Sequence, residues 1–270
     1  MAVQFLSWVG NLGAKTQAAL IELSRMRDLA ASFLYWSLVA PFAGKRGLRR
    51  ESFAHQLCFM GNQSLFIIFL VSASVGAVLA LQAAYQLKQF GALLYTGALV
   101  SVSMSRELGP IVTAIVVAGR VGASITAELG TMKVSEEVDA LTTMGIPPVP
   151  YLVVPRILAM LVMLPCLTVL SFAIGIFGGY LIGVVSLGID ANLYLKASFD
   201  ALASKDILTG VAKSFVFALL VGIIATYSGL AVEGGAEGVG KATTRSVVAS
   251  IIAIIVADGI CTAVFFYVFP

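Results

Sequence analysis

Charged residues are scarce in this chain of 270 residues. Asp, Glu, Lys and Arg make up 11% of the sequence, whereas an ordinary soluble domain carries roughly 25%. Hydrophobic residues make up 59%, and the mean hydropathy is +0.99. A soluble chain of this length could bury a large core, but its surface would still need charged side chains. The composition therefore excludes a soluble enzyme and predicts that much of the apolar surface contacts lipid.

Residues that carry out catalysis or bind metals are also few. The single histidine, His55, lies at the edge of an apolar run, so neither a Ser-His pair nor a histidine metal site can form inside the membrane. Cys58, Cys166 and Cys261 lie in apolar context without the spacing of metal ligands. The nucleophile motif G-x-S-x-G is absent. We therefore expect no enzymatic activity and no catalytic residue, metal or cofactor in this chain.

Apolar runs long enough to cross a bilayer, about 20 residues each, occur five times. In the second run, Arg106 and Glu107 lie near the midpoint, because neither apolar half is long enough to span alone. In the third, Gly175, Gly179 and Gly183 repeat every four residues, which lets another helix approach closely. The pattern predicts an all-α, polytopic membrane protein. The five predicted spans cover approximately residues 59–87, 93–119, 151–186, 207–232 and 246–269.

Basic residues are unevenly distributed between the two sets of loops. Twelve lie in residues 1–52, in the segment 120–156 and in the turn between spans four and five, against three in the other loops. Because basic loops remain in the cytoplasm, the N-terminus is predicted to be cytoplasmic and the C-terminus to lie outside. The formal net charge of only +3 and the lack of a long basic run argue against a nucleic-acid partner.

Residues 1–52 precede the first span and include a segment with two chemically different faces. Leu23, Met26 and Phe33 fall on one helical face, whereas Glu22 and Asp28 fall on the opposite one. This is typical of an amphipathic interfacial helix in the headgroup region, and its apolar part is too short to cross the membrane. Packing of the apolar face against other helices of the same protein explains the pattern equally well.

A short acidic helix is predicted between spans two and three, over about residues 131–145. Val134, Val138 and Leu141 form one apolar stripe, and Gly145 lies where a helix C-cap is expected, before two prolines. Such a helix could insert into a groove of a cytoplasmic partner. The alternative is a helix resting on the membrane, but anionic lipid headgroups repel acidic side chains.

The stretch from Gly235 to Lys241 nearly matches the phosphate-binding pattern G-x-x-x-x-G-K-[ST]. However, Ala242 replaces the hydroxyl residue that would hold a magnesium ion. The preceding element is a membrane span, so no α/β domain supports a nucleotide site. Any ATP hydrolysis must therefore come from another chain.

Four ionisable residues lie within the predicted spans. Each would cost roughly 2.5 to 3.5 kcal/mol at the middle of the membrane unless it is paired or faces a polar cavity. They either line a pathway for the polar head of an amphiphile or form a structural ion-pair network, and the residues favour neither hypothesis. They are Arg106, Glu107, Lys213 and Asp258.

Several stretches of sequence together resemble a known family. They are Arg106-Glu-Leu-Gly-Pro110, the run from Ala118 to Gly130, the run from Glu137 to Gly145, Pro155-Arg156, the glycine repeat of the third span and the run from Ala242 to Val248. In these stretches, and over nearly the whole chain from about residue 45, the sequence resembles the MlaE/YrbE family of ABC-transporter permeases.

The resemblance implies a homodimeric permease in the bacterial inner membrane, with residues 53–270 as the permease domain and the C-terminus in the periplasm. It further implies cytoplasmic ABC ATPase subunits that bind ATP and magnesium, usually a small STAS-domain partner, and a periplasmic MCE-domain protein. The cargo it implies is phospholipid or a related lipid.

The same resemblance gives roles to individual residues. Arg106 and Glu107 match the charged pair beside the lipid pocket of the family, and Leu79 and Gln82 match the lining from the first span. With Lys213 and Asp258 they form the expected substrate pathway. The acidic helix corresponds to the coupling helix. Its residues expected at the ATPase are Glu136, Glu137, Asp139, Leu141, Met144 and Gly145.

Two other functional classes remain open from the residues alone. An ion-coupled secondary transporter or channel could use the four intramembrane charges as an ion relay. Against it, the chain shows no clear internal repeat, and its odd number of spans gives no simple inverted pair. A scaffold that only anchors partners would have the same composition.

Overall fold

The computed structural model describes residue 17 and residues 21–39 and 50–268. Within these ranges the chain is almost entirely helical and has no β-strand. Five helical segments are long and apolar enough to cross a membrane, which confirms the predicted all-α polytopic fold. These segments are Glu51–Gln89, Leu93–Val134, Val149–Val185, Ser204–Leu230 and Gly235–Tyr267.

The helices are numbered here in chain order. The first, α1, covers residues 21–34 and continues into a π-helical turn, Tyr35–Val39. The others are α2 (Arg50–Gln89), α3 (Thr96–Ser103), α4 (Gly109–Val117), α5 (Ala123–Val134), α6 (Glu137–Thr143), α7 (Val154–Val185), α8 (Ala191–Ala201), α9 (Ser204–Leu230) and α10 (Gly235–Val268).

Some spanning helices extend well beyond their apolar runs. The 40 residues of α2 give it a length of roughly 60 Å at about 1.5 Å per residue, about twice the thickness of the hydrocarbon core. Similarly, α10 begins at Gly235, whereas its predicted span begins at residue 246. Polar residues continue these helices outside the apolar layer, so hydropathy locates the part in lipid but not the helix ends.

The second spanning segment is continuous and contains α3, α4 and α5. Two π-helical turns, Met104–Leu108 and Ala118–Gly122, join these helices. Pro110 has no N–H to donate to the preceding turn, and the wide turn before it accommodates this loss. The same wide turn carries Arg106 and Glu107, the two charges predicted near the middle of the span.

Small residues bring α2 and α7 into backbone contact. A methyl group on Gly76 would overlap the carbonyl oxygen of Gly175, and a methyl group on Gly178 would overlap that of Ala73. Close approach of this kind increases van der Waals contact between helices in lipid. The first member of the predicted glycine repeat therefore lies in the interface between the first and third spans.

The other two members of the repeat, Gly179 and Gly183, make room for α8. The side chain of Tyr194 lies against both glycines and is fully buried. Its hydroxyl has no hydrogen-bond partner among the residues that the structure describes. Burial raises the pKa of Tyr194 to about 12, because the charged phenolate would lose its hydration.

The helix predicted over residues 131–145 is divided in two. Helix α5 ends at Val134, Glu136 adopts a left-handed conformation with φ of 60°, and α6 begins at Glu137. The turn redirects the chain, and Val138 is buried in the main core while Val134 stays 41% exposed. The single apolar stripe expected from the sequence is therefore broken at this turn.

Helix α1 combines the two arrangements that its sequence left open. Phe33 is buried and packs against Val153 and Ile157 of the third spanning segment. Leu23, earlier on the same apolar face, is 65% exposed. The part of this face near Phe33 thus packs on the protein, and the part near Leu23 presents apolar side chains to its surroundings. Residues 1–16, 18–20 and 40–49 of the predicted 1–52 segment and the end of the predicted fifth span lie outside the described residues.

Candidate functional site

The ammonium group of Lys213 lies at the centre of a polar cluster. Its side chain is 2% exposed, and Nζ lies 2.5 Å from Glu107 Oε2 and 2.9 Å from Asp258 Oδ1. It also donates a hydrogen bond to Thr262 Oγ1 at 2.7 Å. Glu107, Lys213, Asp258 and Thr262 are referred to below as the Lys213 cluster.

Three different spanning segments supply the cluster. Glu107 lies in the π-helical turn before α4, Lys213 lies on α9, and the other two residues lie on α10. Asp258 and Thr262 are four residues apart, so they share one face of α10. Gly210, about one turn before Lys213, has no side chain to hold α9 away from the π-helical turn. This close approach places the ammonium group beside the Glu107 carboxylate.

Hydrogen bonding and charge pairing both stabilise the cluster. Two carboxylates surround one ammonium group, so negative charge is in excess when all three groups are ionised. The hydroxyl of Thr262 donates to Glu107 Oε1 at 3.2 Å. Charged groups persist away from water only when they are paired and hydrogen-bonded in this way. The side chain of Glu107 is 35% exposed, so the cluster is accessible through this residue.

Arg106 lies apart from the Lys213 cluster. Adjacent residues on a helix point in different directions, so Arg106 and Glu107 face different neighbours. The Nε atom of Arg106 lies 3.7 Å from Asp206 Oδ1, and its side chain is 40% exposed. Asp206 is buried and accepts a hydrogen bond from the backbone N–H of Ala203. Three of the four predicted charges thus come together, while the fourth pairs with a carboxylate just before the predicted fourth span.

An apolar cavity of about 570 Å³ lies between the second and third spans, α8 and the start of α9. Ser105 and Ile207 line it, and each is the chain neighbour of one partner in the Arg106–Asp206 ion pair. The hydroxyl of Ser105 is buried and finds no hydrogen-bond partner within the described ranges. An apolar space beside an ion pair suits a molecule with a polar head and an apolar tail. The aromatic lining residues are Phe172, Phe177, Tyr180 and Phe199.

Leu79 and Gln82 lie elsewhere on α2. Leu79 packs in a small core with Ala80, Val100 and Met104, whereas Gln82 is exposed. Neither residue lines the apolar cavity, and the partners of Lys213 come from other helices. A single copy of the chain therefore does not bring them to either site.

The sequence model of the family described as Permease MlaE matches residues 53–264 of this chain. This match covers well over half of the sequence and includes every residue of the Lys213 cluster. The chain belongs to the MlaE permease family.

Individual relatives agree with this assignment. The chain is 36% identical over 269 residues to the "Intermembrane phospholipid transport system permease protein MlaE" of Haemophilus influenzae. This alignment covers 98% of this chain and 99% of that protein. It is 43% identical over 213 residues to a "Probable ABC transporter permease protein" of Rickettsia prowazekii, covering 79% and 82%. It is 37% identical over 211 residues to the chloroplastic protein TRIGALACTOSYLDIACYLGLYCEROL 1 of Arabidopsis thaliana, covering 78% and 60%. The resemblance read from the sequence motifs is confirmed.

In this MlaE-family permease, α6 presents an acidic surface at one end of the bundle. Leu141 is turned partly inward and packs against the main core, so it contributes less to this surface than the sequence predicts. Gly145, with φ of 74°, ends the helix as predicted, and the N–H of Ile146 bonds to the carbonyl of Leu141 at 2.9 Å. The exposed residues of the surface are Glu136, Glu137, Asp139 and Met144.

Proposed function

We propose that this chain is the membrane-spanning permease of an ABC transporter that moves phospholipids or related lipids between the bacterial inner membrane and a periplasmic carrier. Family membership and the named function of the Haemophilus relative support the proposal. The observation in this chain that carries it is the apolar cavity beside the Arg106–Asp206 ion pair. Arg106 is next to Glu107 of the Lys213 cluster in the sequence. Charged groups suited to a headgroup therefore lie close to an apolar cavity suited to an acyl chain.

Other subunits complete the transporter in this proposal. ATP and magnesium bind to separate ATPase subunits, which contact the exposed surface of α6, and a STAS-domain subunit joins them. A periplasmic MCE-domain protein receives or delivers the lipid. A second copy of the permease packs on α10, the least buried of the five spanning segments, where Ile252, Ile255 and Ile260 are exposed.

The proposed orientation follows from the alternating direction of the spans. The start of α2, the α6 surface and the start of α10 all lie at one end of the bundle, because successive spans run in opposite directions. The bias of basic residues assigns this end to the cytoplasm. The same end carries the ATPase surface, so orientation and partner assignment agree.

A continuous helical segment links α6 to the Lys213 cluster. The turn at Ser135 and Glu136 connects α6 to α5, which continues through α4 to Glu107. At about 1.5 Å per residue, this segment is roughly 40 Å long, so a displacement at α6 would be transmitted over that distance. Closure of the ATPase would push on α6, tilt the segment and change the separation of Glu107 from Lys213. The cavity would thereby alternate between lipid-accepting and lipid-releasing shapes.

Transfer of a fluorescent phospholipid from proteoliposomes to a carrier protein tests this function. The proteoliposomes contain the permease with its ATPase. We expect transfer that requires ATP and stops with a non-hydrolysable analogue. Transfer that follows a proton or sodium gradient without ATP would instead support the ion-coupled secondary transporter, for which the excess carboxylate in the Lys213 cluster is the relevant observation.

A further inference from the structure

A second cavity, which is polar, lies at the α6 end of the bundle, between the start of α2 and the start of the third span. Its volume is about 320 Å³. Glu51, His55 and Gln56 line it from α2, and Tyr151 and Arg156 line it from the third span. These helices contribute nothing to the Lys213 cluster, so this cavity is a separate site.

Arg156 is the most deeply buried charged residue of this cavity. The residue is 9% exposed, and its Nη2 atom lies 3.2 Å from Glu128 Oε2. Nη1 donates to the carbonyl of Leu152 at 2.9 Å. Nε is buried and finds no acceptor in the described part of the chain. A guanidinium group with an unused donor favours an additional oxygen ligand, and phosphate oxygens match its geometry.

The charges around the cavity limit the kind of ligand. Arg156 is already paired with Glu128, and Glu51 adds a further carboxylate to the lining. A ligand with net negative charge would meet this carboxylate, while Arg156, the one Lys or Arg side chain among the described residues that line the cavity, is already paired. A zwitterion can place its phosphate toward Arg156 and His55 and its ammonium group toward Glu51.

Exposed apolar side chains lie farther along both helices, on α2 beyond the exposed Asn62. Phe66 follows His55 by three turns on the same face of α2 and is 75% exposed. Val162 follows Pro155 by two turns on the same face of α7 and is 46% exposed. Acyl chains that extend from a headgroup in the cavity would therefore lie against apolar side chains.

We propose that this cavity binds the headgroup of a zwitterionic phospholipid with a primary ammonium group, of the phosphatidylethanolamine class, from the leaflet at the α6 end. The lipid bridges the first and third spans, with its phosphate bound by Arg156 and His55 and its ammonium group by Glu51. The site is distinct from the transport pathway, and its occupancy does not depend on ATP.

Native mass spectrometry of the purified permease, without its ATPase, tests the proposal directly. The permease is titrated with short-chain phosphatidylethanolamine, phosphatidylglycerol or phosphatidylcholine. We expect phosphatidylethanolamine to bind more tightly than the other two lipids. Glu51→Gln should reduce its preference over phosphatidylglycerol by about fivefold, because one partly exposed charge pair is lost. Glu237→Gln alters an exposed carboxylate at the same end of the bundle and should leave the preference unchanged.

Soluble phosphoethanolamine and inorganic phosphate provide the second arm. Neither compound should displace the phospholipid when it is added at the concentration at which the phospholipid itself saturates the site, because both compounds lack acyl chains. Equal competition would mean that a free phosphate compound is the ligand and would overturn the lipid assignment. Preference for phosphatidylglycerol, or an unchanged preference in Glu51→Gln, would overturn the zwitterion assignment. Because the readout is binding by the permease alone, failure here is distinguishable from failure of ATP-driven transfer.

Discussion

Lys213 carries a positive charge into a bundle of apolar helices, and three oxygen-bearing side chains hold it there. Removing one partner from a buried ion pair costs about 3–5 kcal/mol, because the remaining charge is uncompensated. The cluster therefore joins three spanning segments. Glu107, at 35% exposed, also offers a charged group to a passing molecule. Structural pairing and a pathway role are thus compatible in one geometry.

Some residues of this cluster can be predicted from the sequence, and others cannot. Glu107, Lys213 and Asp258 are visible because a charge inside an apolar run is rare. Thr262 is not, because a hydroxyl hardly changes hydropathy, although its four-residue spacing from Asp258 was a usable signal. The partner of Arg106 depends on how α9 packs against the second span, which local sequence does not contain.

Tyr194 provides a prediction about pH. Its pKa is about 12 in the folded protein, above the ordinary value of about 10. The folded state therefore retains the proton more strongly, so stability is retained below about pH 10 and is lost as pH rises toward 12. Tyr194→Phe should weaken this loss, with little change at neutral pH because the hydroxyl is unpaired. Thermal unfolding of both proteins across this range is the measurement, and identical alkaline profiles would contradict the account.

Helices depend on contacts that their own sequence does not always reveal. The turn at Glu136 interrupts a stretch whose apolar spacing suits one helix, and burial of Val138 in the main core accompanies the break. In contrast, Gly145 ends α6 as predicted, because a positive φ after a helix is a local preference of glycine. Local signals thus predicted the cap of this element but not its beginning.

The interface between α2 and α7 provides a second prediction. Gly76→Ala places a methyl group against the Gly175 backbone and should destabilise the protein by about 1–3 kcal/mol. Gly240→Ala is the matched control, since it lies on α10 away from the proposed contact with the second copy and no described atom lies within 4 Å of the added methyl group. The control should be neutral or stabilising by up to about 1 kcal/mol, because alanine favours helix. Thermal unfolding in detergent compares the two, and equal effects would count against the backbone contact.

The α6 surface provides a third prediction. Met144→Asp changes a side chain that is 67% exposed, so it should reduce co-purification of the ATPase without lowering the unfolding temperature. Leu141→Asp should lower that temperature instead, because Leu141 packs against the main core. Lys241→Ala, at an exposed position of α10 at the same end, serves as the control and should leave ATPase binding unchanged. Normal ATPase recovery with Met144→Asp would place the partner elsewhere.

For the whole molecule, composition predicts the number of spanning helices, although it does not predict the contacts between them. A low content of charge and five long apolar runs require five lipid-spanning helices, and the structure has them. Hydropathy does not determine which helices touch, because every apolar face is equally compatible with lipid. The arrangement of the helices depends on small residues such as Gly76 and on ion pairs such as Lys213 with Glu107. These contacts join residues that are far apart in the sequence.

We propose that the Lys213 cluster takes part in ATP-driven lipid transfer. Glu107→Gln removes the accessible charge, while Lys213 keeps Asp258 as its partner and the fold should persist. We assign to Glu107 one charged hydrogen bond to the lipid headgroup during transfer; its loss, about 1.5–3 kcal/mol, predicts phospholipid transfer at least about tenfold slower.

The decisive measurement is ATP-dependent transfer of a fluorescent phospholipid by proteoliposomes that contain the wild type, Glu107→Gln or the exposed-site control Glu237→Gln, each with equal amounts of assembled ATPase. We expect slow transfer for Glu107→Gln alone. Transfer by Glu107→Gln at the wild-type rate would contradict a role for the Lys213 cluster in the lipid pathway.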